Sequence, residues 1–130
     1  DAAADLLKLL KSGDISLRKT IISALGRMGA KEAIPDLKQM LAAEYMLRTN
    51  LALALSLLGA KEAIPDIAKM LSDKSPVVRA TAAIALTELK AKDKVAKENI
   101  DDIRGLIKES KDEDLLARAR KALQALGTEE

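Results

Sequence analysis

The chain has 130 residues, a length for one domain, and 48% of them are hydrophobic, enough to build a packed interior. It has no Cys and no His, which removes disulfides, thiolate metal sites and the commonest zinc ligand and general base. Its 22 Lys and Arg stand against 20 Asp and Glu, a net +2 without the basic excess that nucleic-acid binding draws on, and no apolar run approaches the roughly 18 residues of a membrane span.

The apolar residues are almost all aliphatic, with one Tyr and no Phe or Trp, and their spacing predicts helices over 2–11, 15–28, 32–42, 45–58, 62–71, 76–89, 97–109 and 113–126. Asp1 in place of an initiator Met is expected of a processed or excised chain, and a soluble, cytoplasmic protein is expected. In the second helix Leu17, Ile21, Ala24, Leu25 and Met28 fall on one stripe of a 3.6-residue helix and are expected to face the core. Gly29, Gly59 and Gly127 lie just past the last apolar residue of their helices, where a left-handed turn is cheapest for glycine, and Lys90 takes that place in the third repeat. Pro35 and Pro65 fall in the first turn of the helices that follow, and Pro76 opens the sixth after Ser72-Asp73-Lys74-Ser75.

An internal repeat organises these elements. Gly29-Ala30-Lys31-Glu32-Ala33-Ile34-Pro35-Asp36 recurs letter for letter as Gly59-Ala60-Lys61-Glu62-Ala63-Ile64-Pro65-Asp66, and both copies run on to a Met-Leu pair. Asp5, Leu6, Leu9 and Leu10 anticipate Asp36, Leu37, Met40 and Leu41; Ile100, Asp102, Ile103, Leu106 and Ile107 answer to Ile64, Asp66, Ile67, Met70 and Leu71 after an insertion between Lys90 and Asn99. Between them Leu17-Arg18 to Leu25 recurs as Leu47-Arg48 to Leu55 and Val78-Arg79 to Leu86, and Leu116 to Leu126 closes the series. A period near 30 residues belongs to stacked helix pairs. Four repeats, about 1–29, 30–59, 60–90 and 91–127, are expected in a single domain, because one pair cannot bury its own apolar stripe.

The succession Ala24-Leu25-Gly26-Arg27-Met28-Gly29, then Ala33-Ile34-Pro35-Asp36-Leu37 and Met40-Leu41, resembles the HEAT-like repeats first grouped with the phycobilisome lyases, over essentially the whole chain. The resemblance implies an all-α solenoid of four stacked antiparallel helix pairs in a right-handed superhelix. It implies a protein-binding scaffold, in a family with a minority of lyase subunits and DNA-binding members. It also implies an Asp in the intra-repeat turn with an Arg or Lys six residues on. Asp73 and Arg79 keep that spacing, but Ser12 and Ala42 precede Arg18 and Arg48, and Ser110 precedes Leu116, so a continuous ladder is not expected.

No nucleophile-elbow, phosphate-loop or metal-ligand spacing occurs, so no enzyme, cofactor or metal site is expected. Asp36, Asp66 and Asp102 recur at one helical position, where a first-turn carboxylate opposes the helix dipole. Arg18, Arg48 and Arg79 are expected to brace turns rather than grip a ligand. The insertion, with Lys90, Lys92, Lys94 and Lys97 among Asp93 and Glu98, reads as a solvated connection.

These exclusions leave a noncatalytic scaffold for a protein or peptide of unnamed identity. The alternative is one subunit of a two-subunit bilin lyase, with nucleic-acid binding less favoured and no membrane partner. The resemblance places the binding face on the concave side, formed by the second helix of each pair. Helical spacing puts Ser16, Lys19, Thr20, Ser23 and Arg27 on that side, then Met46, Thr49, Asn50, Leu53 and Leu57, then Val77, Ala80, Thr81, Ile84 and Glu88, and last Asp114, Ala117, Arg118, Lys121 and Ala125. The strip is basic at its ends and apolar at its centre, which suits an amphipathic segment; the equal alternative is that Leu53, Leu57 and Ile84 fill gaps between neighbouring helices. Leu7, at a position that Lys38, Ala68 and Arg104 fill later, together with Ala2 and Ala3, predicts that the outer face of the first helix meets an adjoining repeat or a second copy of the chain.

Overall fold

Capping side chains decide where half of these helices begin. In the computed structural model, which describes residues 1–128, the carboxylates of Asp1, Asp14 and Asp112 accept the N–H groups of Ala4, Leu17 and Leu115 at 2.8, 2.8 and 3.1 Å, and Ser75 Oγ accepts that of Val78 at 3.4 Å. The helices are α1 (Ala2–Leu10), α2 (Ile15–Arg27), α3 (Ile34–Ala43), α4 (Arg48–Leu57), α5 (Ile64–Lys69), α6 (Pro76–Glu88), α7 (Lys97–Glu109) and α8 (Glu113–Ala125). No strand occurs among the described residues.

The helices expected from 32, 45 and 62 open as 3-10 turns, Lys31–Ala33, Tyr45–Leu47 and Lys61–Ala63, and a fourth such turn, Met70–Ser72, closes α5. Proline accounts for two of them. Pro35 has no N–H to donate to Lys31, four residues back, so the Lys31 carbonyl takes the tighter bond from Ile34 instead. Pro65 stands in the same relation to Lys61.

Four helices end on a left-handed residue, with φ of 68° at Gly29 and Gly59, 79° at Gly127 and 65° at Lys90. The next N–H then reaches back five residues: Ala30 to Leu25, Ala60 to Leu55, Ala91 to Leu86 and Thr128 to Leu123, at 2.8–3.1 Å. Lysine carries the steric cost of that conformation, which glycine escapes. Lys90→Gly is therefore expected to raise unfolding free energy by about 1 kcal/mol in urea titration, and Gly59→Ala to lower it by about as much. The second is a pure backbone effect, since nothing lies within 4 Å of where a Gly59 Cβ would sit.

The chain packs as two compact units, Asp1–Ala63 and the chain from Ile64 onward. In the first, α2 lies against α1 and α4, and α3 against α4, around Ile21, Ile22, Leu25, Leu37, Leu41, Leu47, Leu51 and Leu55. In the second, α6 is flanked by α5, α7 and α8 and carries an unbroken buried run from Ala80 to Thr87. Each fully buried side chain of Leu or Ile size stabilises by roughly 1.5–3 kcal/mol.

The core stripe of α2 is rotated from the expected one. Ile21 and Leu25 are buried as expected, but Ala24 is half-buried, while Leu17 and Met28 are 44% and 47% exposed. Ile22 and Gly26 are buried instead. Leu17 sits in the first turn and folds over Gly13, where an added Cβ would meet Leu17 Cδ2 at 2.9 Å; Met28 is the C-cap, beyond the packed length of the helix. The premise of an outward Leu7 is corrected similarly. Leu7 is half-buried at a cleft of about 220 Å³ with Leu10, Met40 and Gln39, and Ala3 is buried, so Leu9 is the exposed leucine of α1.

Candidate functional site

In the first unit, one close contact sets how α2 lies against α4. Gly26 has no side chain, and a Cβ there would lie 3.0 Å from Ala54 Cα and 3.4 Å from Leu57 Cδ1. With Ile21, Ile22 and Leu25 of α2 and Leu51, Ala52 and Leu55 of α4 turned inward, the opposite sides reach solvent. On α2 that side carries Ser16, Thr20 and Arg27, exposed, and Lys19 and Ser23, half-buried. On α4 it carries Thr49, Asn50 and Leu53, half-buried, between Met46 at 66% and Leu57 at 48% exposure. The opening 3-10 turn of α4 produces the first of these by burying Leu47 while Tyr45 and Met46 stay outside, and the Arg48 guanidinium lies 5.2 Å from the Tyr45 ring centre. Neither α2 nor α4 contains an acidic residue, whereas Arg18, Lys19, Arg27 and Arg48 all lie on them.

The second unit departs from the expected face. Val77 is 52% exposed, but Ala80, Thr81 and Ile84 are buried, at 0%, 1% and 0%. The reason is packing: helices surround α6 on several sides, so its stretch from Ala80 to Thr87 shows no solvent stripe. Thr81 satisfies its hydroxyl internally, donating to the Val77 carbonyl at 2.8 Å. Arg118 is half-buried and donates through Nε and Nη2 to the two carboxylate oxygens of Glu88, at 2.8 and 2.6 Å, so its charge is already neutralised. Lys121, Asp114, Ala117 and Ala125 are exposed.

Two of the three recurring arginines, Arg18 and Arg79, are braces. Arg18 donates Nε to the Leu10 carbonyl at 2.8 Å and Nη2 to Glu44 at 2.7 Å, which ties the end of α1 to the end of α3. Arg79 donates to the Asp73 carbonyl at 2.8 Å and clasps Asp102 through two bonds of 2.8 and 3.1 Å. The hydrogen bond to Asp102 and the nearby charges of Asp102 and Asp73 outweigh desolvation and hold the Arg79 guanidinium above its ordinary pKa. The same spot in each unit is thus filled by one arginine, one helix-end carbonyl and one carboxylate. Glu44 and Asp102 are the partners that sequence spacing leaves out, because they lie 26 and 23 residues from their arginines.

Of the recurring aspartates, Asp102 is committed to Arg79, Asp66 lies 4.0 Å from Lys69, and Asp36 lines the α1–α3 cleft. The lysine-rich insertion is largely exposed; Lys92 Nζ donates to the Ala125 carbonyl at 3.0 Å, and Lys94 lines a hollow of about 540 Å³ with Arg79, Glu98 and Asn99. Asn99 is buried and bonded on both sides, accepting from Ala96 N–H at 3.0 Å and donating to the Leu71 carbonyl at 3.2 Å. Among the described residues no buried side-chain nitrogen or oxygen lacks a hydrogen bond, no three acidic groups converge as a metal site, and no helix is long and apolar enough to cross a membrane.

The sequence model of HEAT repeats matches residues 1–56 and again 42–124. The chain belongs to the HEAT-repeat family. Comparison with curated proteins finds no match. Membership makes this an all-α solenoid, a helical repeat scaffold of a kind that commonly mediates protein interactions. In this HEAT-repeat chain the braced arginines and the left-handed helix ends form the scaffold, and the solvent side of α2 and α4 is one of its exposed surfaces.

Proposed function

We propose that the chain is a noncatalytic scaffold that binds a protein or peptide through the α2–α4 surface. The observation that carries this reading is the pair Met46 and Leu57, large apolar side chains 66% and 48% exposed at the two ends of one helix face, with half-buried Leu53 between them. Beside them α2 supplies hydroxyls and the cations Lys19 and Arg27. An amphipathic segment with aliphatic anchors and an acidic residue complements that surface. Arg118 and the buried Ala80, Thr81 and Ile84 leave the proposed contact set; Val77 and Lys121 stay exposed in the second unit.

The test is Leu57→Glu, assayed by affinity capture from source cells beside the wild-type chain. The charged variant is expected to lose the captured partner while its circular-dichroism melt stays within a few degrees, because an exposed position accepts a charge at little folding cost, of the order of 0.5 kcal/mol. Capture that survives the substitution removes this face from the proposal. Co-expression with a bilin and a phycobiliprotein acceptor tests the noncatalytic half, and covalent pigment dependent on this chain would overturn it.

A further inference from the structure

Gly105 stands in the middle of α7, exposed, with no atom within 4 Å of where its Cβ would lie. Glycine weakens a helix interior relative to alanine, and no internal contact here requires it, unlike Gly26. What its missing side chain does create is the floor of a notch of about 250 Å³, lined by Pro76 and Val77 from the start of α6 and by Asp101, Asp102, Gly105, Leu106 and Glu109 of α7. Val77 is 52% exposed there, so the notch has an apolar wall as well as an open floor.

Its charges have one sign. Asp102 is 13% exposed and held by Arg79. Asp101, one turn before Gly105, is 68% exposed; Arg104 touches one of its oxygens at 3.0 Å, which leaves room for a second cation. Glu109, one turn after Gly105, is exposed. Carboxylates therefore flank an apolar depression at both ends, at the i−4 and i+4 positions of one helix face.

We infer that this notch is a second docking surface, separate from the α2–α4 face, for a basic amphipathic peptide segment. A lysine or arginine of the partner lays its methylene stem over Gly105 and against Val77, and its cation reaches Asp101 or Glu109. Long cationic side chains combine these two properties, an apolar stem and a charged tip. A wholly apolar occupant would give nothing to Glu109 or to the outer oxygen of Asp101, and an acidic one would be repelled.

The experiment is a nuclear magnetic resonance titration of the full chain with a short amphipathic Leu/Lys peptide, beside the same peptide with Glu for Lys. Amide shifts are expected at Val77, Gly105 and Glu109 with the basic peptide and not with the acidic one. Gly105→Leu fills the notch and Glu109→Lys reverses one flank; each is expected to weaken binding by roughly tenfold, the loss of one well-placed contact. Gly105→Ala makes the role visible against a structural one, since it should raise the melting temperature while weakening the peptide. Equal binding of the acidic peptide, shifts elsewhere, or wild-type affinity in Gly105→Leu would overturn the proposal. A self-associated chain dispersed by Gly105→Leu, without peptide binding, would assign the notch to a second copy and equally overturn it. Leu57→Glu should leave the titration unchanged, so this surface and the α2–α4 face stand or fall separately.

Discussion

Ile84→Glu is expected to unfold the protein. The Ile84 side chain is fully buried on a helix whose residues from Ala80 to Thr87 are all buried. Burying an unpaired charge costs several kcal/mol even after relaxation, and holding the carboxyl neutral instead costs part of the same energy as a raised pKa. Domains of this size are stable by only about 5–15 kcal/mol, so one such substitution consumes most of the margin. Ile84→Val, which removes one methylene, should cost only about 1 kcal/mol. Circular dichroism and a thermal melt read both. A cooperative, wild-type-like melt for Ile84→Glu would return Ile84 to the accessible face where the helical frame had put it.

The second large effect comes from Gly26→Ala, where two physical contributions oppose each other. Alanine favours a helix interior by about 1 kcal/mol. Its Cβ would nevertheless stand 3.0 Å from the Ala54 backbone and 3.2 Å from Ala54 Cβ, closer than carbon atoms pack, and α4 cannot rotate a backbone atom aside. Separating α2 from α4 loosens Ile22, Leu51 and Leu55 together, and overpacking of this kind costs about 1–3 kcal/mol. A net loss of about 1–2 kcal/mol is expected, several degrees in melting temperature. Gly105→Ala, with open space around it, should shift the melt the other way by about 1 kcal/mol. If Gly26→Ala also raises the melting temperature, the close approach of α2 and α4 is not what the glycine is for.

Most of the helical framework is legible in the sequence alone, because the punctuation is local. Glycine after an apolar residue, proline in a first turn and an aspartate before a helix each act within about five residues, and the eight elements begin and end within a few residues of expectation. The opening 3-10 turns were missed at Lys31 and Lys61 although Pro35 and Pro65 signal them; the proline removes one specific bond, which apolar spacing does not register. Periodicity also assumed that a helix packs along its whole length, and Leu17 and Met28 fail that assumption at the two ends of α2.

Which of the candidate contact residues reach solvent is legible only in part, for a similar reason. On α2 and α4 the predicted residues reach solvent fully or partly, as expected of amphipathic helices with one covered side. On α6 the same frame lands on Ala80, Thr81 and Ile84, small or apolar residues that the sequence alone places equally well in a groove or in an interior. Only the packing of α5, α7 and α8 around α6 decides between them. The pairing of Arg18 with Glu44 has the same origin: the carboxylate comes from the far end of α3, 26 residues along the chain.

The left-handed helix ends carry a practical consequence for following the protein's motions. Each of the four repeats has one amide just past its second helix, on Ala30, Ala60, Ala91 and Thr128, tied to a carbonyl five residues back. Such an amide can exchange its hydrogen with solvent only when that helix end opens. The chain thus contains one natural reporter per repeat, spaced along its length, and a hydrogen-exchange experiment on these four amides would resolve opening repeat by repeat where a bulk melt returns a single curve.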